Sequence, residues 1–313
     1  MTSTGWDELT EFARAHHSAE LVVRQHGSVV VDELWELPPS PLFARLPLDG
    51  SRSRQDVASV QKSIVSVLVG IAIANGDLSL GDTATQHLGA GWTGRDDVET
   101  EANITLEHLL SMTSGLGDAM EFVAAPGERW DYNLVAYPTV KRILTAAVGE
   151  SLDAITRVWL TEPLGMTDTV WSPRQWDDRF PAALRGAFFY PDGTPMEALV
   201  TTARDLATFG HAVMAGCVGL GVDDDYRRRM TTTSQPMNPA YGWLWWLNGG
   251  NLWPGVPADA FAAVGAGDQC CVAIPSLGLV VARTGQPADG TDLAGSEFVG
   301  RLAAGTVEAC RSS

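Results

Sequence analysis

The feature that most constrains this chain is where its strand-like segments fall: near both ends, with helical periodicity filling the middle. Residues 20–37 alternate in the strand manner, and Leu21-Val22-Val23-Arg24 and Val29-Val30-Val31 flank His26-Gly27-Ser28, which reads as a hairpin turn. The last third returns to strands at 242–247, 261–264, 270–274 and 279–283, and a helix over 296–310 closes the chain. Between these, Val57, Ile64, Val67, Leu68, Ile71 and Ala72 recur at helical spacing until Asn75-Gly76-Asp77 stops the pattern. Further helical patterns cover 105–112 with Thr105 as cap, 138–148, 152–160 and 201–215. Strands from both ends imply one sheet assembled from the two termini, with a helical region inserted between them. No internal repeat or low-complexity linker divides the chain, so we read a single domain over 1–313 with two lobes. One lobe is drawn from about 1–82 and 198–313, and the helical one from about 83–197.

Composition narrows the function classes. The formal net charge of −17 repels phosphate backbones, so no nucleic-acid partner is expected. The longest apolar run, 64–74, falls short of the roughly 18 residues needed to span a bilayer and carries Ser66 and Gly70, so no membrane association is expected. The first residues lack a basic stretch followed by an apolar one, and the four cysteines, Cys217, Cys270, Cys271 and Cys310, are few for the length. Both point to free thiols in a reducing cytoplasm. No Cys/His cluster has metal-ligand spacing, and neither metal nor cofactor is expected.

Chemistry concentrates in three places. In Ser59-Val60-Gln61-Lys62, a helix puts hydroxyl and amine on one face. Serine is a weak nucleophile until a base takes its proton, and lysine can be that base once burial disfavours its ammonium form. Taken alone, the motif fits equally a helix start with a capping serine and a solvated lysine. In the second place, Trp130-Asp131-Tyr132-Asn133-Leu134 stands between a loop and a helix, where the Tyr132 phenol can exchange a proton with Lys62, or simply pack beneath the helix. The third, Phe261 to Gln269, carries Ala263-Val264-Gly265-Ala266-Gly267, small residues that let backbone approach a ligand; a glycine-rich strand end with a bulge looks the same.

Together, in this order, these segments resemble the serine β-lactamase-like, penicillin-recognising superfamily, in its class C-related branch of esterases, D-aminopeptidases and 6-aminohexanoate-oligomer hydrolases. Connecting phrases share the likeness, among them Leu109-Leu110-Ser111-Met112-Thr113-Ser114-Gly115-Leu116, Pro163-Leu164-Gly165-Met166 and Tyr241-Gly242-Trp243-Leu244-Trp245-Trp246. It extends over about residues 20–305. The resemblance implies an α+β fold, an antiparallel sheet flanked by helices with an all-helical lobe inserted and the active site in the cleft between. It implies Ser59 as nucleophile, Lys62 as base, Tyr132 as proton shuttle, and the backbone N–H groups of Ser59 and Ala266 as oxyanion hole. Asn133, Gly265, Gly267 and Trp246 are the candidate substrate-binding residues, with Trp243, Trp245 and Trp253 as further candidates for the pocket wall or the core.

Two departures shape the expected chemistry. Leu134 stands where the family's tyrosine motif has an asparagine, and Ala263-Val264-Gly265 replaces Lys-Thr-Gly or His-x-Gly. The cation and hydroxyl that would grip a substrate carboxylate are gone. The expected activity is that of a serine hydrolase acting on a small ester or amide through an acyl-enzyme on Ser59. An acyltransferase using the same acyl-enzyme, or a non-hydrolytic penicillin-binding-like sensor, are the alternatives. Oligomeric state is not legible in the sequence.

Overall fold

The computed structural model describes residues 5–38, 45–48, 52–174, 189, 193–287 and 296–312. Its largest element is a six-stranded sheet of order β2-β1-β10-β9-β8-β7, antiparallel at every pairing. The strands are β1 (Ser18–Gln25), β2 (Ser28–Leu34), β7 (Trp246–Leu247), β8 (Phe261–Gly265), β9 (Gln269–Ile274) and β10 (Leu279–Gly285). The first strand of the chain lies against the last, as the strand-at-both-ends pattern predicts. His26 and Gly27 form the β1–β2 turn with positive φ at both, the geometry a tight hairpin demands. A second, four-stranded sheet of order β3-β4-β6-β5 joins β3 (Arg45–Pro47), β4 (Ser53–Asp56), β5 (Val170–Pro173) and β6 (Glu197–Thr201).

Successive side chains on a strand face opposite sides, and both faces of the main sheet are covered. Leu21, Val23, Val272, Leu279 and Val281 pack with Phe298, Val299 and Leu302 of a C-terminal helix and Leu9 and Ala13 of an N-terminal one. Val22, Cys271, Ala273, Val280 and Ala282 pack on the other side into the larger core. That double burial is why these strands read as nearly continuous apolar runs.

The helices are α1 (Gly5–Ala15), α2 (Gln61–Asn75), α3 (Ala84–Leu88), α4 (Val98–Glu101), α5 (Leu106–Leu110), α6 (Pro138–Val148), α7 (Leu152–Thr156), α8 (Glu162–Leu164), α9 (Ala203–Met214), α10 (Asp224–Met230) and α11 (Ser296–Ser312). Thr105 caps α5 through the His108 N–H while the His108 ring accepts from the Thr105 N–H, so His108 is structural. Two expected boundaries shift. The helix expected over 152–160 turns into a wider π turn at Arg157–Thr161, and only Trp246–Leu247 of the 242–247 segment is strand. The stretch read as helical also contains β5, which pairs with β6.

Helix α2 is the axis on which the site depends. Every residue from Gln61 to Ala72 is buried. Its Ser63 and Ser66 hydroxyls donate to the Leu244 and Trp243 carbonyls at 2.7 and 2.8 Å, satisfying polar groups that would otherwise be costly in a core. The window Ala58–Asn75 is apolar enough to cross a membrane, yet 72% of it is buried inside the protein, as in a core helix.

Candidate active site

Ser59 lies in a single 3-10 turn, Ala58–Val60, that leads into α2. The residue before it, Ala58, has φ +47°, a left-handed conformation that costs a non-glycine residue on the order of 1–3 kcal/mol. Asp56, at the end of β4, secures it: its carboxylate accepts from the Ala58 N–H at 2.8 Å and pairs with Arg174 at 3.3 Å. The bend leaves Ser59 half-buried while Lys62, one turn on, is buried.

The Lys62 amine and the Ser59 hydroxyl are 2.8 Å apart. Lys62 Nζ also lies 5.0 Å from the Tyr132 ring centre and 4.5 Å from that of Tyr137. Burial, then the Arg174 and Lys141 cations, pull its pKa well below the ordinary lysine value. Within this surround the neutral amine is favoured, with a lone pair available to accept the Ser59 proton. The Tyr132 side chain hydrogen-bonds with Ser59, and burial raises its pKa to about 12, so it is a phenol and not a phenolate. The amine can therefore act as acceptor and the phenol as donor, two complementary roles at one hydroxyl.

Sheet and helix meet at Gly265. A Cβ there would lie 2.3 Å from the Val57 carbonyl oxygen and 3.0 Å from the Ser59 nitrogen, so only glycine lets the end of β8 reach the serine turn. Half-buried Ala266 follows in the β8–β9 turn. At the position of the family's cation, Ala263 is 1% exposed and part of the larger core, so a cation there would be buried.

Tyr132 belongs to a cluster of four aromatic rings. Its ring centre lies 5.6 Å from that of half-buried Trp246, 6.0 Å from Tyr241 and 6.5 Å from Trp130. Trp246 therefore borders the site.

Two candidate binding residues, Asn133 and Gly267, are engaged elsewhere, and the tryptophans left between pocket wall and core fall to the core. Asn133 is not poised for a ligand: it is buried, its amide donates to the Leu116 and Gly117 carbonyls at 2.7 and 3.0 Å, and its oxygen accepts from the Val135 and Ala136 N–H groups. It ties the Gly115–Gly117 loop to the start of α6. Gly267 serves the turn, its carbonyl accepting from Arg283 and Gln269. Trp253 packs on the far face of the sheet against Gly300 of α11, while Trp243 and Trp245 are buried beside Tyr226 and Phe209.

Sequence reasoning missed Tyr137 and Lys141 at α6 and Arg174 after β5, which come to Lys62 from two distant segments, and Asp56, which secures the turn before Ser59. One signal was available: the chain has only two lysines, and both are buried. Among the described residues no group of three His, Cys, Asp or Glu side chains is placed to hold a metal ion.

With this geometry in view, comparison with known proteins gives a family. A model of the Beta-lactamase family matches residues 7–296. The chain belongs to the beta-lactamase family. Solved structures of the same fold include a penicillin-binding protein homologue from Caulobacter crescentus (TM-score 0.71, 19% identity, covering 97% of this chain and 96% of that one). EstCE1, described as a hydrolase with promiscuous acyltransferase activity, aligns at TM-score 0.69 and 16% identity, covering 96% and 97%. A beta-lactamase from Mycobacterium bovis aligns at TM-score 0.64 and 17% identity, covering 95% and 96%. No curated protein matches in sequence. At these identities the likeness speaks to the fold, the mixed α/β arrangement with antiparallel sheets, and the chemistry rests on the residues above.

Proposed function

We propose that this beta-lactamase family member is a serine hydrolase that cleaves a small, uncharged ester or amide through an acyl-enzyme on Ser59. The observation that carries the reading is a buried lysine amine 2.8 Å from the Ser59 hydroxyl, in surroundings that favour its neutral form.

Ser59 Oγ attacks the substrate carbonyl as its proton passes to Lys62 Nζ. The tetrahedral oxyanion lies between the Ser59 and Ala266 N–H groups, where fixed dipoles favour the charge as it develops. Collapse breaks the bond to the leaving group, which takes a proton from the Tyr132 phenol, and the neighbouring Lys62 ammonium gives up its proton to the phenolate, leaving Lys62 neutral and Tyr132 a phenol again. Neutral Lys62 then deprotonates water, which attacks the acyl carbon and returns Ser59 to its hydroxyl. No metal or redox step is required by this sequence.

An uncharged substrate fits the rim. The stretch Ala263-Val264-Gly265 brings no cation or hydroxyl for a substrate carboxylate, Leu134 brings no amide for an acyl side chain, and Trp246 and Tyr132 present aromatic faces. An alcohol or amine in place of water would make the same acyl-enzyme an acyltransferase, a reading favoured by the activity described for EstCE1. Four free cysteines, three of them buried, fit a reducing compartment, and on that ground we place the protein in the cytoplasm.

The test is intact-protein mass spectrometry after treatment with a fluorophosphonate, followed by adduct mapping and assay on short acyl esters. One adduct, on Ser59, with Ser59→Ala inactive and unlabelled, is the expected result; an adduct elsewhere, or undiminished ester cleavage by Ser59→Ala, overturns the proposal.

A further inference from the structure

Arg283 lies on β10, in the middle of the main sheet, and is 0% exposed. A guanidinium in such a place needs partners for its N–H donors, and each of its three nitrogens finds them, on three segments. Towards the N-terminus it donates to the His16 and His17 carbonyls at 3.0 and 2.9 Å and to the Ser18 hydroxyl at 3.0 Å. It also holds the Gln286 carbonyl at 2.7 Å, just beyond its own strand. Its remaining nitrogen, Nη1, reaches beneath the β8–β9 turn and donates to the Gly267 carbonyl at 2.7 Å. Gln269 adds a second donor to that carbonyl at 3.3 Å. Gln269 is itself fixed on Gly285, donating to its carbonyl at 2.8 Å and accepting from its N–H at 3.1 Å.

The clamped turn is not one that relaxes into place by itself. Gly267 and Asp268 are consecutive left-handed residues, φ +76° and +61°, and Asp268 is a buried non-glycine residue whose carboxylate acts on the Arg283 charge. The turn also sits directly against the nucleophile. Gly265, two residues before the clamped carbonyl, abuts the Val57 carbonyl and the Ser59 nitrogen, and Ala266 lies between Gly265 and Gly267. Ala266 thus spans a turn held at Gly265 on one side and at the Gly267 carbonyl on the other, and releasing the second hold frees its backbone to move relative to Ser59. An oxyanion donor misplaced by a fraction of an ångström loses much of its effect, because its value lies in being fixed before charge develops.

We propose that Arg283, assisted by Gln269, is a positioning residue for the oxyanion site, setting the Ala266 N–H by clamping the Gly267 carbonyl from within the sheet. The inference rests on the acyl-enzyme reading of Ser59. Arg283 touches no reacting atom; it acts through the turn.

Three substitutions separate this role from plain stabilisation. Arg283→Lys keeps a buried cation that cannot span the Gly267 and N-terminal carbonyls together. Gln269→Met removes the second donor and serves where Arg283→Lys fails to fold. Ser18→Ala loosens the N-terminal end of the guanidinium and leaves the Gly267 contact in place. We expect kcat on a short acyl ester to fall roughly 10- to 100-fold in Arg283→Lys, and less in Gln269→Met, with KM within about threefold. The rate of fluorophosphonate labelling of Ser59 should fall in parallel. Ser18→Ala should lower Tm while kcat stays within about twofold of the unsubstituted protein. Equal loss of kcat in Ser18→Ala and Arg283→Lys, or unchanged kcat and labelling rate in both Arg283→Lys and Gln269→Met, overturns the clamp alone. Absence of a Ser59 adduct in the unsubstituted protein overturns the hydrolase reading and the clamp with it.

Discussion

The two lysines of this chain occupy similar depths and unlike surroundings. Lys62 meets a hydroxyl and two tyrosine rings, and burial, Arg174 and Lys141 all push its pKa the same way, down. Lys141, on α6, is buried as deeply but donates to the Glu197 backbone carbonyl at 3.0 Å and pairs with its carboxylate at 3.5 Å. Burial lowers it to about 8, while Glu197 pulls the other way. It also borders a cavity of about 560 Å³ with Trp92, Thr145 and Ser151. The lesson is that burial alone does not make a base: an uncompensated amine beside a hydroxyl does, while an amine with a carboxylate stays nearer its charged form.

The sharpest way to break this contrast is to exchange the roles' consequences. Lys62→Met should reduce kcat/KM on a short acyl ester by about a thousandfold or more, the scale on which losing an activating base shows. A fall of less than tenfold would mean that another group takes the Ser59 proton. Next in size is Gly265→Ala, whose methyl meets the Val57 carbonyl oxygen at 2.3 Å. It should cost about 1–3 kcal/mol in denaturant unfolding and about a hundredfold in kcat; wild-type values for both would show that β8 does not set the serine turn. Tyr132→Phe, which keeps the ring and removes the donor, should lower kcat by roughly ten- to a hundredfold, with the larger loss on substrates with poorer leaving groups.

A smaller effect probes the coupling between the lysines. Activity needs neutral Lys62, so kcat/KM should rise with pH through its pKa. Lys141→Met removes a nearby cation, which raises the Lys62 pKa and moves the acid limb of the profile to higher pH. An unmoved limb, or one moved down, contradicts the coupling. The facing charges are Arg174, Asp56 and Glu197, and these remain.

Stability gives the last and smallest readout. A lysine whose pKa is lowered by folding binds fewer protons folded than unfolded, so its penalty is full at low pH. That penalty fades as pH rises from the folded value towards the unfolded one near ~10.4. For Lys141 that window opens at about 8; for Lys62 burial and the Arg174 and Lys141 cations likewise open it well below the ordinary lysine value. Lys62→Met should therefore melt a few degrees above the unsubstituted protein at neutral pH, with the gap narrowing as pH rises. A lower Tm would show that Lys62 supports the fold rather than straining it.

Much of the site was legible in the residues because it is local. Three residues' spacing on a helix puts Ser59 and Lys62 on one face whatever surrounds them, and the order of the Ser-x-x-Lys, tyrosine and glycine segments carried the family likeness. The misread residues show where that legibility stops. Asn133 neighbours Tyr132 in sequence, but its amide is taken up by the Leu116–Gly117 loop, a partner that no spacing predicts. Trp253 and Trp246 look alike in the sequence, yet Trp253 lies on the opposite face of the sheet. That assignment depends on the path of the chain between β7 and β8.

The sequence by itself determined the apolar strands at both ends, the buried core helix and the pairing of one hydroxyl with one amine, since each follows from short-range periodicity. Only the tertiary structure decided that burial and nearby cations lower the pKa of the amine, that burial raises that of the phenol, that Gly265 meets the serine turn and that Arg283 bonds the Gly267 carbonyl. Those properties come from desolvation and from charges and carbonyls contributed by β4, β5, α6, β8 and β10, distant in sequence and brought together only when the sheet closes on α2.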